Sequence, residues 1–293
     1  MLGEIRGEVR FKEPLSFHTS LRIGGPADIF IVPQDVEDIR LALSFAEREQ
    51  LSLDVIGGGN NLLVSDRGVR GVVLKLEGCL GRAEFNGEEA VAGAGVSLSA
   101  LIREAAALNL GGIECLVGVP ATVGGAVAMN AGTQDGGISD FISAVYFLYP
   151  DGTLGEFKPG AASFSNRTFT APAGAVLIGA RLQLHRRPFA EIQKDIKQRL
   201  KQKKSTQPLA LASVGCVWKN PPGETASRLI EKVGLRGKRL NGAEISAKHA
   251  NFIVNRGGAA ATDIKALMQL TLDRVRNHFG ITLEPEMKTL GEI

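Results

Sequence analysis

Hydrophobic positions recur along this chain in two rhythms. Short apolar runs closed by Gly, Pro or Asp predict strands, and apolar residues three and four apart predict helices. Ile29 to Val32, stopped by Pro33, reads as a strand, and Asp35 then caps a helix with Val36, Ile39, Leu43 and Ala46 on one face. Leu53 to Ile56 and Gly71 to Leu76 read as further strands. Glu89 to Ala94 predicts a strand, and Ser97 opens a helix carrying Leu98, Leu101, Ile102, Ala105 and Leu108 that stops at Gly111-Gly112. Ala144 to Tyr149, turned at Pro150-Asp151-Gly152, and Val176 to Leu184 complete the strands of the middle region. From Arg186 to Lys204 the rhythm is helical, with Phe189, Ile192, Ile196 and Leu200 at helix spacing and eight Lys or Arg on other faces. Ser205 to Pro208 reads as a linker, followed by a helix over 225–233 ended by Gly234, a strand from Asn251 to Val254, and a helix over 262–279 capped by Thr262 and ended by Gly280.

Strands and helices mixed in this way specify an α+β fold. The breaks divide the chain into 1–80, 81–204 and 205–280, with a tail over 281–293 expected to pack back on 81–204. The chain has no internal repeat and no low-complexity tract.

Composition narrows the partners. At 293 residues with 44% hydrophobic and 22% charged content, the chain can bury a sizeable core. A net charge of +3 argues against nucleic acid as the main partner, yet would not repel a doubly negative nucleotide. Cys79, Cys115 and Cys216 are odd in number and widely separated, so neither a disulfide framework nor a metal site is indicated. Residues 1–13 lack the apolar core of a signal peptide, and no run of 18 apolar residues offers membrane insertion, so a cytoplasmic location is expected. Nothing in the pattern specifies an oligomer, and a monomer is the expectation.

Two glycine-rich stretches break the rhythm. Gly57-Gly58-Gly59-Asn60-Asn61 sits between strand-like pieces, and Gly118 to Gly132 holds Gly118, Gly124, Gly125 and Gly132 with no charged residue. The longer stretch suits neither helix nor strand and is too apolar for an exposed linker, so it reads as buried loop. Its main-chain N–H groups need acceptors, which a diphosphate or the polar edge of a flavin could supply; a structural turn is the alternative. Neither stretch fits the dinucleotide or P-loop fingerprints.

These stretches, with Thr19-Ser20-Leu21-Arg22-Ile23-Gly24-Gly25 ahead of them, make the chain resemble the UDP-N-acetylenolpyruvoylglucosamine reductases from about Pro14 to Gly291. The resemblance implies an FAD-binding fold like that of the vanillyl-alcohol oxidase group, with 1–80 and 81–204 as its two subdomains and 205–280 binding substrate. It implies non-covalent FAD, NADPH as hydride donor, and reduction of UDP-N-acetylglucosamine enolpyruvate to UDP-N-acetylmuramate. Arg22, Gly57, Gly58, Gly59, Asn60, Asn61, Gly118, Val119, Pro120, Ala121, Thr122, Gly124, Gly125, Ala126 and Asn130 match cofactor positions. Ala121 stands where glycine is frequent and Asn60 where serine is.

Reducing an electron-poor alkene requires a hydride donor, a polariser of the conjugated group, and an acid. Side chains donate no hydride, so a cofactor must. Arg167, in Phe164-Ser165-Asn166-Arg167-Thr168-Phe169, matches the arginine that faces the substrate carboxylate, though Asn166 and Phe169 depart from the usual tyrosine and small hydroxyl residue. Cys216 follows Gly215 at the position of the proton donor, serine or cysteine in the family; a thiol with a pKa of about 8.5 carries its proton at neutral pH. Glu286 of Glu284-Pro285-Glu286 matches the C-terminal catalytic glutamate. Asn220 and Asn251 match substrate-binding positions, or serve as caps or turns. His18 and His249 read as structural. Another oxidoreductase of the same flavin fold, or a non-catalytic flavin or UDP-sugar binder, remains an alternative.

Overall fold

Three buried hydrophobic clusters organise the chain. The structure, a computed structural model, describes residues 2–160, 163–165 and 167–292, so Asn166 lies outside the described residues. Contacts group the chain into a first unit of residues 1–11, 29–58 and 71–202 and a second of 12–28, 59–70 and 203–293. The sequence breaks suggested three consecutive segments; the chain instead leaves and re-enters each unit, which local periodicity does not report.

In the first unit, Leu53–Ile56 pairs in parallel with Val72–Lys75; the strand order of their sheet is Glu8–Pro14, Pro26–Val32, Val69–Lys75, Leu53–Ile56. Helix α1 (Val36–Arg48) begins where expected: the Asp35 carboxylate accepts from the Glu37 and Asp38 amides, and Ile39, Ala42 and Ala46 are buried. Asp38 on the same face is also buried, and its carboxylate accepts from the amides of Arg6 (3.1 Å), Gly7 (2.8 Å) and Gln34 (2.8 Å). Burial pushes its pKa up, but these amides and the Arg6 guanidinium outweigh that and hold it below the usual carboxylate value.

A five-stranded sheet of this unit is antiparallel, ordered Leu154–Phe157, Ile142–Leu148, Val176–Gln183, Glu89–Gly93, Ala83–Asn86. Helix α2 (Leu98–Ala107) buries Leu98, Leu101, Ile102 and Ala105 in the same core as this sheet. Ser97 is its first non-helical residue but makes no side-chain cap; its hydroxyl pairs with Ser99. The stretch expected to be loop contains a helix, α3 (Val123–Ala128), capped by the Thr122 hydroxyl, which accepts from the Gly125 amide at 3.2 Å. Tertiary packing overrides glycine's poor propensity here, because only glycine at 124 lets the helix backbone lie against Ala94. Phe169 is explained by the core: it stacks on Phe147 (6.2 Å) and meets Phe164 (4.8 Å) and Phe157 (6.2 Å). Helix α4 (Phe189–Thr206) buries only Ile192 and Ile196 of the expected apolar face; Phe189 and Leu200 are exposed. It also runs through Ser205 and Thr206, which the sequence assigned to a linker.

The second unit has an antiparallel sheet ordered Ala212–Cys216, Phe252–Asn255, Ala243–Ile245, Arg239–Leu240, whose core is shared with α5 (Ala226–Lys232) and α6 (Ala261–Phe279). Thr225 caps α5, accepting from the Arg228 amide. Helix α6 ends at Gly280, whose left-handed φ of 70° suits glycine, but its start is not the expected Thr262 cap. The Asp66 carboxylate accepts from the Ala261 (2.7 Å) and Thr262 (3.1 Å) amides and the Thr262 hydroxyl (3.2 Å). The tail expected to return to 81–204 pairs within this unit: Lys288–Leu290 lies parallel to Leu62–Val64, and Pro285 bridges Trp218. No described helix is long and apolar enough to cross a membrane.

Candidate functional site

Within the first unit the structure brings the start of the shorter glycine stretch against the longer one. A Cβ on Gly57 would lie 2.5 Å from the Thr122 hydroxyl oxygen, so the absence of a side chain is what lets the two backbones approach. The α3 helix is pinned beside them by Val123 N–H to Val96 O (2.8 Å) and Gly124 N–H to Ala94 O (2.9 Å). Among the described residues, the amides of Gly57, Gly58, Ala121 and Thr122 find no protein acceptor. Such a run of donors is what an anionic or polar-edged ligand needs. Ala121 is not among the residues with positive φ, so its methyl is tolerated where glycine is frequent.

Arg167 belongs to the same unit and sits at the far end of the long stretch. Its Nη1 donates to Gly132 O at 2.9 Å, and its own backbone is left-handed, φ 61°. Asn130, also left-handed at φ 40°, donates from its side-chain amide to Ser165 O at 3.0 Å. These two links tie the hairpin strands Phe164–Ser165 and Thr168–Phe169 to the longer glycine stretch, so Arg167 lies against the end of that stretch. Val119, Pro120, Ala126 and Gly118 lie along that stretch, with Ala126 buried and Val119 donating to Leu116 O.

The second unit holds the remaining candidates. Gly59, Asn60 and Asn61 again have amides without a protein acceptor among the described residues. Gly59 O accepts from the Ser20 amide (3.1 Å), while the Ser20 hydroxyl donates to Ser213 O (2.7 Å). Ser20 thus joins the glycine stretch to the strand that leads to Cys216, a role that the motif Thr19 to Gly25 does not signal by itself. Arg22 has φ 56° and is exposed between buried Leu21 and Ile23.

Cys216 and Glu286 come together through the backbone. Glu286 N–H donates to Val217 O at 2.7 Å, and Lys219 N–H donates to Glu284 O at 2.9 Å. The Asn61 side-chain amide donates to Glu286 O at 3.2 Å, and Lys288 N–H donates to Asn61 O. The Cys216 thiol is half-buried, whereas Cys79 and Cys115 are buried and their pKa values are pushed up to about 11, chiefly by burial. Asn220 and Asn251 are both occupied by main chain. The Asn220 side-chain oxygen accepts from the Ala226 amide at the start of α5, and Asn251 spends both ends of its amide on Trp218.

The comparisons with known proteins agree with this layout. Residues 27–158 match the family model of an FAD binding domain, and residues 207–290 that of the UDP-N-acetylenolpyruvoylglucosamine reductase C-terminal domain. The chain is 44% identical over 289 residues to a UDP-N-acetylenolpyruvoylglucosamine reductase of Anaeromyxobacter sp. (strain Fw109-5), covering 98% of this chain and 90% of that one. The chain belongs to the UDP-N-acetylenolpyruvoylglucosamine reductase family. A second reductase of the family, from Symbiobacterium thermophilum, is 40% identical over 287 residues, covering 97% of this chain and 93% of that one. The crystal structure of the Thermus caldophilus reductase superposes with a TM-score of 0.84 at 35% identity, covering 98% of this chain and all of that one. Membership makes the protein an FAD-dependent oxidoreductase of cell-wall precursor synthesis. Among the described residues of the first unit, the backbone donors without protein partners at Gly57, Gly58, Ala121 and Thr122 fit a diphosphate-bearing flavin nucleotide.

Proposed function

We propose that the protein reduces UDP-N-acetylglucosamine enolpyruvate to UDP-N-acetylmuramate in the cytoplasm, with NADPH as the source of electrons. The reading is supported above all by the backbone link between the Cys216 strand and the Glu286 segment, because it keeps a thiol acid and a carboxylate within one small, rigid element. The glycine-stretch amides, with Arg22 and Asn130, would hold FAD, which would supply the hydride chemistry that no side chain can perform.

The protein's own residues supply the rest. Arg167 carries a fixed positive charge suited to the enolpyruvyl carboxylate, where it offsets the negative charge that builds on that group as the double bond is reduced. Its tether to Gly132 O limits the rotamers open to it, so less entropy is lost when substrate binds. Glu286 orients the acid, and the Cys216 thiol gives its proton to the carbon bearing the carboxylate, leaving a thiolate that solvent reprotonates. Hydride at the terminal carbon and this proton together saturate the alkene. Asn220 and Asn251, occupied by main chain, hold the walls of this unit in place.

The test separates the two half-reactions. Cys216→Ala should leave flavin reduction by NADPH within about twofold of the parent, while reoxidation by the enolpyruvyl UDP-sugar slows by about a hundredfold or more, the usual range for loss of a general acid. Flavin absorbance in a stopped-flow instrument reads both. Equal slowing of the two steps would remove Cys216 from the role of acid.

A further inference from the structure

The strand carrying Cys216 runs out of regular partners immediately after the thiol. Ala212 and Ser213 pair with Asn255 and Val254, the register slips at a bulge where Gly215 takes φ 83°, and Cys216 pairs opposite Phe252. Beyond that point the ladder is continued by one residue, Asn251, through its main chain and its side chain. Val217 N–H donates to the main-chain oxygen of Asn251 (2.8 Å), Trp218 N–H donates to Asn251 Oδ1 (2.9 Å), and Asn251 Nδ2 donates to Trp218 O (2.8 Å). The carboxamide therefore stands in for a peptide group of a neighbouring strand, satisfying one donor and one acceptor at once. Asn251 is 2% exposed and Trp218 3%, so water does not compete for either group.

On the opposite edge, Val217 O accepts from Glu286 N–H and Lys219 N–H donates to Glu284 O. Residues 217–219 are thus a short ribbon, one residue past the thiol, clamped by Asn251 on one side and by the Glu284–Glu286 segment on the other. We propose that Asn251 is a positioning residue: its side-chain amide sets the register between Cys216 and Glu286 and thereby aims the thiol for proton delivery. This rests on the reading of Cys216 as the acid, and it assigns Asn251 a task other than contact with the UDP-sugar. Only a carboxamide of this length offers an acceptor and a donor side by side, so the identity of the residue follows from the geometry.

Asn251→Asp tests the clamp, because it changes one donor into an acceptor with almost no change of shape. Ionised, the new carboxyl opposes Trp218 O with a second oxygen; protonated, it restores the donor. Burial raises the pKa of such a group, so acidification should repair the clamp. In the flavin-loaded protein, reduction by NADPH should match the parent at about pH 8 and at about pH 6. Reoxidation by the enolpyruvyl UDP-sugar should be slower than the parent by about tenfold near pH 8 and recover to within about threefold near pH 6, the scale expected for a sub-ångström to ångström displacement of a catalytic group.

A second readout needs no turnover. The rate of Cys216 alkylation by iodoacetamide, followed by mass spectrometry, should differ from the parent by about threefold or more near pH 8, and the ratio should return towards one near pH 6. A ratio of one at both pH values with unchanged reoxidation overturns the proposal, as does a variant slowed equally in both half-reactions at both pH values. If Cys216→Ala leaves reoxidation intact, the acid assignment fails while the alkylation ratio still decides the clamp. Should the aspartate variant not fold, Asn251→Ser is measured in the same way: selective slowing of reoxidation supports the proposal and equal slowing of both steps refutes it.

Discussion

Gly124 and Gly125 are adjacent in α3, yet the structure predicts opposite outcomes for adding a methyl group to each. A Cβ on Gly124 would lie 2.8 Å from Ala94 Cβ, 3.1 Å from Ala94 O and 3.3 Å from Ala94 Cα. Carbon atoms pack comfortably at about 3.5–4.0 Å, so the helix or the strand end must move by roughly 0.7 Å or more. That movement strains the Gly124 N–H to Ala94 O bond, now 2.9 Å. Overpacking costs about 1–3 kcal/mol and a weakened buried hydrogen bond about 1 kcal/mol, against a gain of about 1 kcal/mol from alanine's helix propensity. Gly124→Ala should therefore lose about 2 kcal/mol, or about 4–8 °C in Tm. A Cβ on Gly125 meets only the Thr122 hydroxyl, at 3.4 Å, and Gly125→Ala should gain about 0.5–1 kcal/mol. Because Thr122 lies at the start of the same helix and against Gly57, Gly124→Ala should also weaken flavin retention. Thermal unfolding by circular dichroism at saturating FAD, with flavin fluorescence as the second channel, reads both effects. Two variants of equal stability would refute the packing argument.

Three further expectations follow from the second unit and the thiols. Asp66→Ala strips the first turn of α6 of its carboxylate acceptor and should cost about 1–2 kcal/mol, measured by urea unfolding; an unchanged midpoint would mean another group caps the helix. Glu244 is buried between Arg256 and Arg239, and their hydrogen bonds, Arg256 first, hold its pKa below the ordinary 4.5 despite burial. Its stabilisation is complete above about pH 4.5 and is lost as pH falls through the lower folded value, so the stability gap between parent and Glu244→Gln should narrow on acidification below about pH 4.5. A gap that widens there would contradict the sign. Brief alkylation of the native protein at about pH 8 should modify Cys216 and spare Cys79 and Cys115, whose pKa values lie at about 11, and peptide mapping reads the three sites separately.

The sequence by itself determined the α+β class, most helices, buried strands such as Leu53–Ile56 and Val176–Gln183, and the two glycine stretches, because those follow from periodicity and backbone freedom within about ten residues. It also carried the motifs that made Arg167, Cys216 and Glu286 candidates. Tertiary structure decided what required distant partners. Asp66 caps a helix that begins 195 residues later, and no local signal pairs them. Glycines 124 and 125 sit in a helix because packing on Ala94 and the Thr122 cap outweigh their propensity. An asparagine amide has the same donor and acceptor whether it meets a sugar or a main chain, so only the fold could reveal that Asn220 holds α5 and Asn251 holds Trp218.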